Sequence, residues 1–193
     1  MTDSKVRCSW VGSDPLMLEY HDREWGVPAH DDRRLFEFML LEGAQAGLSW
    51  MTILRRREAY REAFAGFDPL RIARFDRRKV ESLMRNAAII RNRLKIESAI
   101  QNARAYVALR EGGETLDAFM WKFVGGSPIV NRWKSVSQIP ASTPVSDAMS
   151  KAMKKAGFTF FGTTICYAHM QAIGMVNDHF ASCFRYRELT RSR

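Results

Sequence analysis

Apolar residues recur three and four apart through most of this chain, and sustained two-residue alternation appears nowhere. Asp14-Pro15, a cap with a first-turn proline, predicts a short helix over 15–25 carrying Leu16, Met17, Tyr20 and His21. Asp31-Asp32 opens a second helix whose stripe of Leu35, Phe38 and Met39 runs into Glu42 before Gly47 stops it. Arg33, Arg34 and Glu37 fall elsewhere on its wheel, where water can reach them. Ser49 is placed to cap a helix with Trp50, Ile53, Leu54, Tyr60 and Phe64 at helical spacing. Asp68-Pro69 and Asp76 start two short helices, the second with Val80, Leu83 and Met84 on one side. After a break over 86–90, a long helix from about Arg91 turns Ile96, Ile100, Ala103 and Val107 inward until Gly112-Gly113. Thr115, Thr143-Pro144 and Thr163 cap three more helices; Gly157 stops the second, and the third runs through Ile173. Residues 125–143 form the longest loop, 178–184 a last turn or two of helix, and 187–193 a basic, frayed tail. With no hairpin signal and no internal repeat, the expected fold class is all-α.

Composition narrows the function classes. A chain of 193 residues with 46% hydrophobic and 26% charged residues can bury a full core, as one domain or two small lobes. A net charge of +9 favours a polyanionic partner, most simply nucleic acid. No apolar run approaches the roughly 20 residues of a membrane span, so no membrane partner is expected. The stretch from Met1 to Arg7 has no apolar run, so no signal peptide is expected, and three cysteines suit a reducing cytosol better than a disulfide framework. A cytoplasmic monomer is the expectation.

Four groups of residues carry candidate chemistry. Glu42, on an apolar stripe, needs a partner or a function, since a carboxylate aimed into a greasy face is unfavourable. A backbone amide or an arginine would satisfy it as plain structure, with Trp50 as core. Cys8 and His21 near one end, with His179 and Cys183 near the other, make a closed Cys₂His₂ set of the kind zinc fills tetrahedrally. One helical turn would bring His179 and Cys183 together; the alternative is two buried thiols and two ordinary histidines. Arg91, Arg93 and Lys95, at a turn between two helices, suit a helix–hairpin–helix phosphate contact, although Ala87 and Ala88 stand where such turns usually have glycine. Trp10, Tyr20, Trp25 and Trp50 cluster in the first fifty residues, where aromatics can stack an extruded base or simply fill a core.

Taken together, the motifs resemble those of the 3-methyladenine DNA glycosylase I family. They are Cys8-Ser9-Trp10, Tyr20-His21-Asp22, Glu24-Trp25-Gly26-Val27-Pro28, Leu41-Glu42-Gly43, Gln45-Ala46-Gly47-Leu48-Ser49-Trp50, Ile89-Ile90-Arg91, Gly162-Thr163-Thr164-Ile165-Cys166-Tyr167 and Val176-Asn177-Asp178-His179. The resemblance runs from about Arg7 to Cys183. It implies one glycosylase unit over 1–193 with the helix–hairpin–helix fold, its hairpin element at about 76–111, and a structural zinc on Cys8, His21, His179 and Cys183. It implies hydrolysis of the N-glycosidic bond of 3-methyladenine in alkylated double-stranded DNA by base flipping, without lyase activity, leaving an abasic site and free 3-methyladenine. Glu42 would then be the pocket carboxylate, Tyr20, Trp50, Trp10 and Trp25 the base-binding rings, and Gly47 and Leu48 the DNA-facing loop. Met17 departs from the resemblance, since some members have tyrosine there. A lesion-binding protein without turnover and a zinc hydrolase acting on small molecules are the competing functions, though the second needs an open metal position.

Overall fold

The computed structural model describes residues 5–191. Helices build it around one central element, α2 (Asp32–Gln45), in which every residue from Leu35 to Ala44 is buried. Around α2 pack α3 (Trp50–Leu54), α7 (Arg93–Glu111), α8 (Leu116–Trp121) and α10 (Thr163–Ala172). The remaining helices are α1 (Pro15–Arg23), α4 (Arg57–Ala63), α5 (Pro69–Ile72), α6 (Arg77–Arg85), α9 (Pro144–Lys155) and α11 (Phe184–Arg191). Their starts follow side-chain chemistry. Asp14, Asp31, Ser49, Asp68, Asp76, Thr115 and Thr143 each accept a backbone N–H from the first turn that follows.

Five expectations are corrected. The helix foreseen from Trp50 to Phe64 breaks at Arg55-Arg56 into α3 and α4. There the Arg56 guanidinium donates to the Ala87 and Ala88 carbonyls, tying the break to the α6–α7 hairpin. The loop at 125–143 contains β1 (Ile129–Val130), which pairs in parallel with β2 (Val176–Asn177), so the fold is helical with one short strand pair. Residues 178–183 are turns rather than helix. The tail foreseen as frayed from Arg187 is α11 through Arg191, held where Asn177 Nδ2 donates to Tyr186 O and Thr190 Oγ1 at 3.3 Å; positions 192 and 193 lie outside the described residues. At α10, Thr163 does not cap: Gly162 holds the cap position, and the Thr163 hydroxyl donates to Asp147.

The turn after α10 brings two backbones together. Gly174 has φ +74°, and a Cβ there would lie 2.4 Å from Pro28 N and 2.5 Å from Val27 C. Both partners are backbone, so neither can move aside as a side-chain tip would. Gly174→Ala is expected to lower stability by roughly 3 kcal/mol or more, read as a fall in the urea midpoint.

Candidate active site and metal centre

Two carboxylates are buried on α2, and they are treated in opposite ways. Glu37, expected in water, is buried with an arginine cluster: Arg57 Nε at 2.8 Å, Arg61 Nη2 at 2.9 Å and Arg34 Nη1 at 3.2 Å. Glu42 is 5% exposed, and among the described residues nothing donates to it. Burial alone pushes its carboxyl up to about 8. Burial therefore favours the protonated carboxyl at neutral pH.

Glu42 lines a cavity of about 320 Å³ with Trp10, Tyr20, Trp25 and Trp50. All four aromatic residues named from the sequence therefore line the same cavity as this carboxyl. Trp10 stands edge-on to Trp25 at 4.9 Å between ring centres, and Tyr20 lies 5.4 Å from Trp50. The Trp50 indole N–H is buried without an acceptor among the described residues. Sequence reasoning missed Val136, Ile139, Ala168 and Gln171, which complete the wall with Gln45. For the last two a signal existed, since residues three apart on a helix share a face. Met17, on α1, does not line this cavity; it is partly buried against the core.

Beyond Gln45 the chain turns out into solvent. Gly47 (φ +78°) and Leu48 (39% exposed) form the tip before Ser49 caps α3. The structure gives Lys95 a different task from the phosphate contact foreseen. Its ammonium donates to Ala44 O at 2.9 Å and Ala46 O at 2.6 Å, closing the carbonyl end of α2 and holding the Leu48 tip. Arg93 is paired with Glu81 at 2.9 Å, whereas Arg91 is exposed and has no ion pair among the described residues. The hairpin itself is seated by Arg56 and by Tyr60, whose hydroxyl accepts the Ile90 N–H at 3.1 Å.

The candidate metal ligands converge as well. Donor atoms of Cys8, His21, His179 and Cys183 all lie within 4.8 Å of one another, and all four residues are buried. His179 Nδ1 is 3.2 Å from His21 Nε2 and 3.6 Å from each sulfur, and Cys183 Sγ is 3.5 Å from His21 Nε2. A tetrahedral ion with bonds of about 2.0–2.3 Å would need edges of roughly 3.3–3.8 Å, and these four contacts lie close to that range. The other ring nitrogens are fixed: His21 Nδ1–H donates to Asp22 at 2.8 Å, and His179 Nε2–H donates to Trp25 O at 3.0 Å. Both imidazoles therefore aim a lone pair at the common centre. The turn over 178–183, rather than a helical face, brings His179 beside Cys183.

His169 is buried with neither ring nitrogen partnered among the described residues, and burial holds it down to about 3. Between pH 6.5 and 3 the unfolded chain takes up a proton there and the folded chain does not. Stability is therefore lost as pH falls through this window. The expected result is a smaller drop in melting temperature from pH 7 to pH 5 for His169→Leu than for the parent protein.

A family profile for methyladenine glycosylases matches residues 10–186. The chain belongs to the methyladenine glycosylase family. Membership makes it a DNA-repair glycosylase, a hydrolase of N-glycosidic bonds. It is 53% identical to DNA-3-methyladenine glycosylase 1 of Escherichia coli (strain K12), over 93% of this chain and 96% of the relative. A crystal structure of 3-methyladenine DNA glycosylase I superposes with a TM-score of 0.91 at 55% identity, covering 93% of this chain and 98% of that one. A tyrosine-to-phenylalanine variant of such an enzyme, solved in complex with 3-methyladenine, superposes at 0.89 with 31% identity, covering 92% and 96%. Among the described residues no helix is long and apolar enough to cross a membrane.

Proposed function

We propose that this chain excises 3-methyladenine from alkylated double-stranded DNA by flipping the nucleotide out of the duplex and hydrolysing its N-glycosidic bond. The observation that carries the reading is Glu42, buried and unpaired, in a cavity walled by three indoles and a phenol. Methylation at N3 leaves the nucleoside base positively charged and already a good leaving group. A cation entering this cavity meets aromatic faces and a carboxyl group, both of which favour positive charge. Its charge favours loss of the Glu42 proton to solvent, leaving an anion in place of a neutral acid opposite the base. An unmethylated adenine has no such charge and gains less, so the same pocket discriminates by chemistry as well as by shape.

Release occurs without strand cleavage. A lyase needs an amine that attacks the sugar, and no lysine lines the cavity. Glu42 is the one carboxylate among the lining residues. Gly47 and Leu48 enter the duplex where the nucleotide has left, and the α6–α7 hairpin, within the helix–hairpin–helix element at about 76–111, lies along the phosphates. The chain acts as one unit over 1–193, as a cytoplasmic monomer. Cys8, His21, His179 and Cys183 hold a zinc ion, whose chemistry there is structural: four protein ligands leave no position for substrate. Incubation with N-methyl-nitrosourea-treated duplex tests the reading. Free 3-methyladenine should be released and the strand should remain intact until alkali cuts the abasic site; no released base, or a cut strand without alkali, would contradict it.

The basic hairpin yields a paired prediction. Arg91→Ala should flatten the slope of log affinity against log salt by about one unit, because one phosphate contact is lost. Lys95→Ala should leave that slope unchanged while weakening binding to abasic-site duplex, because its ammonium is spent on the Ala44 and Ala46 carbonyls. Equal slopes for parent and Arg91→Ala would take the hairpin out of the interface.

A further inference from the structure

Behind one wall of the cavity lies a second buried carboxyl group, Asp178, with no exposed surface. Four donors converge on it, none of them a lysine or arginine. Asn131 Nδ2 (2.7 Å) and Trp133 Nε1 (2.8 Å) reach one oxygen, and the Tyr167 hydroxyl (2.7 Å) and Gln171 Nε2 (2.8 Å) reach the other. A carboxylate oxygen accepts, so the end of the Gln171 amide that faces it is the NH₂. This settles the orientation of the Gln171 amide. Its NH₂ end is held by Asp178, and its carbonyl oxygen has no other partner among the described residues. Gln171 also lines the cavity. A side-chain amide in water presents either end with a half-turn; here one end is pinned from behind.

We propose that Gln171 Oε1 is a fixed hydrogen-bond acceptor that reads the exocyclic amine at C6 of the bound purine, and that Asp178 is the positioning residue that keeps it so. The proposal rests on the reading that this cavity holds 3-methyladenine. An adenine-type base carries two N–H donors at C6. A carboxylate such as Glu42 can take one, and a second acceptor is needed for the other. A base with a carbonyl at C6 would set oxygen against the Gln171 oxygen. Because the amide is locked, it could not turn over to offer N–H instead. A site built around a particular donor rejects the analogue that lacks it far more strongly than an apolar slot rejects one of different size. Tyr167 and Trp133, which touch only Asp178 in this set, then serve selectivity at one remove from the base.

The test isolates the C6 substituent. Free 3-methyladenine and 3-methylhypoxanthine, its 6-oxo counterpart, are titrated separately onto the protein, with quenching of the cavity tryptophans as the signal. The parent protein should prefer the amino base by about tenfold or more. Gln171→Met keeps the length of the side chain without its acceptor and should bring the two affinities within about twofold. Asp178→Asn, with melting temperature and metal content measured alongside because His179 is adjacent, frees the amide to turn and should narrow the preference while Gln171 is still present. An unchanged preference in Gln171→Met, or no preference in the parent, would overturn the proposal. Base release from methylated duplex is measured in parallel. Loss of release with the C6 preference intact would refute the enzymatic reading and leave the Gln171 assignment standing; binding of neither base would end both.

Discussion

Glu42→Gln is expected to make the protein more stable and slower at once. The folded protein holds the Glu42 proton until about pH 8, whereas the unfolded chain releases it near the ordinary carboxyl value of 4.5. Between those two values the folded state binds more protons than the unfolded one. Stability contributed by this site is therefore present below about pH 4.5 and is lost as pH rises to about 8. Gln carries no such slope. The stability gained by Glu42→Gln should grow across that window and level off above it, reaching a few kcal/mol, or several degrees in melting temperature. Release of 3-methyladenine should fall by about a hundredfold, on the order of 2.7 kcal/mol of transition-state stabilisation, because a neutral amide cannot become an anion opposite the departing cation. The parent protein should also bind lesion duplex more tightly as pH rises from 6.5 to 8.5, and Glu42→Gln should not. A Glu42→Gln protein less stable than its parent at pH 8.5 would mean that this carboxyl is satisfied in the fold.

Cys183→Ala is expected to have the largest effect on stability. Its sulfur stands 3.5–3.6 Å from both imidazole nitrogens that face the common centre, and its removal leaves three donors where four fit a closed tetrahedron. The His21–His179 link spans 158 positions, so the ion joins the two ends of the chain and removes much of the freedom of the unfolded state. A loss of about 3–5 kcal/mol, or roughly 10 °C or more in melting temperature, should accompany the loss of one equivalent of zinc. Zinc chelation should reproduce the shift in the parent and add nothing to the variant. The cavity lies on the other side of Trp25, so 3-methyladenine binding measured well below the melting temperature should change far less. An unaltered melting temperature with zinc retained would show that Cys183 is not a ligand.

How much of this was legible in the sequence depended on the range of the interaction. Caps act within a turn, so Asp14, Asp31, Ser49, Asp68, Asp76, Thr115 and Thr143 could be placed from their neighbours alone. Glu42 stood out because a charge on an apolar stripe breaks a local pattern. Glu37 did not, since its burial depends on Arg57 and Arg61, twenty and more positions away. Lys95 looked like a phosphate contact because nothing near it in sequence hints at the Ala44 and Ala46 carbonyls, about fifty residues earlier. The same limit hid the β1–β2 pairing and the docking of α11. Cys8, His21, His179 and Cys183 were recognisable by residue type, but the geometry foreseen for the last two was wrong, since a turn does the work assigned to a helical face. Gln171 and Asp178 went unseen as a pair: their meaning lies in which end of an amide faces a carboxyl, and no spacing records that.

The central claim is that one buried acid in an aromatic cavity grips a flipped, positively charged purine. Single-turnover release of 3-methyladenine from methylated duplex, comparing the parent with Glu42→Ala and with the exposed control Glu58→Ala, tests it most directly. The account predicts release by the parent, an unchanged rate for Glu58→Ala and a rate about a hundredfold lower for Glu42→Ala. A Glu42→Ala rate within twofold of the parent would contradict it.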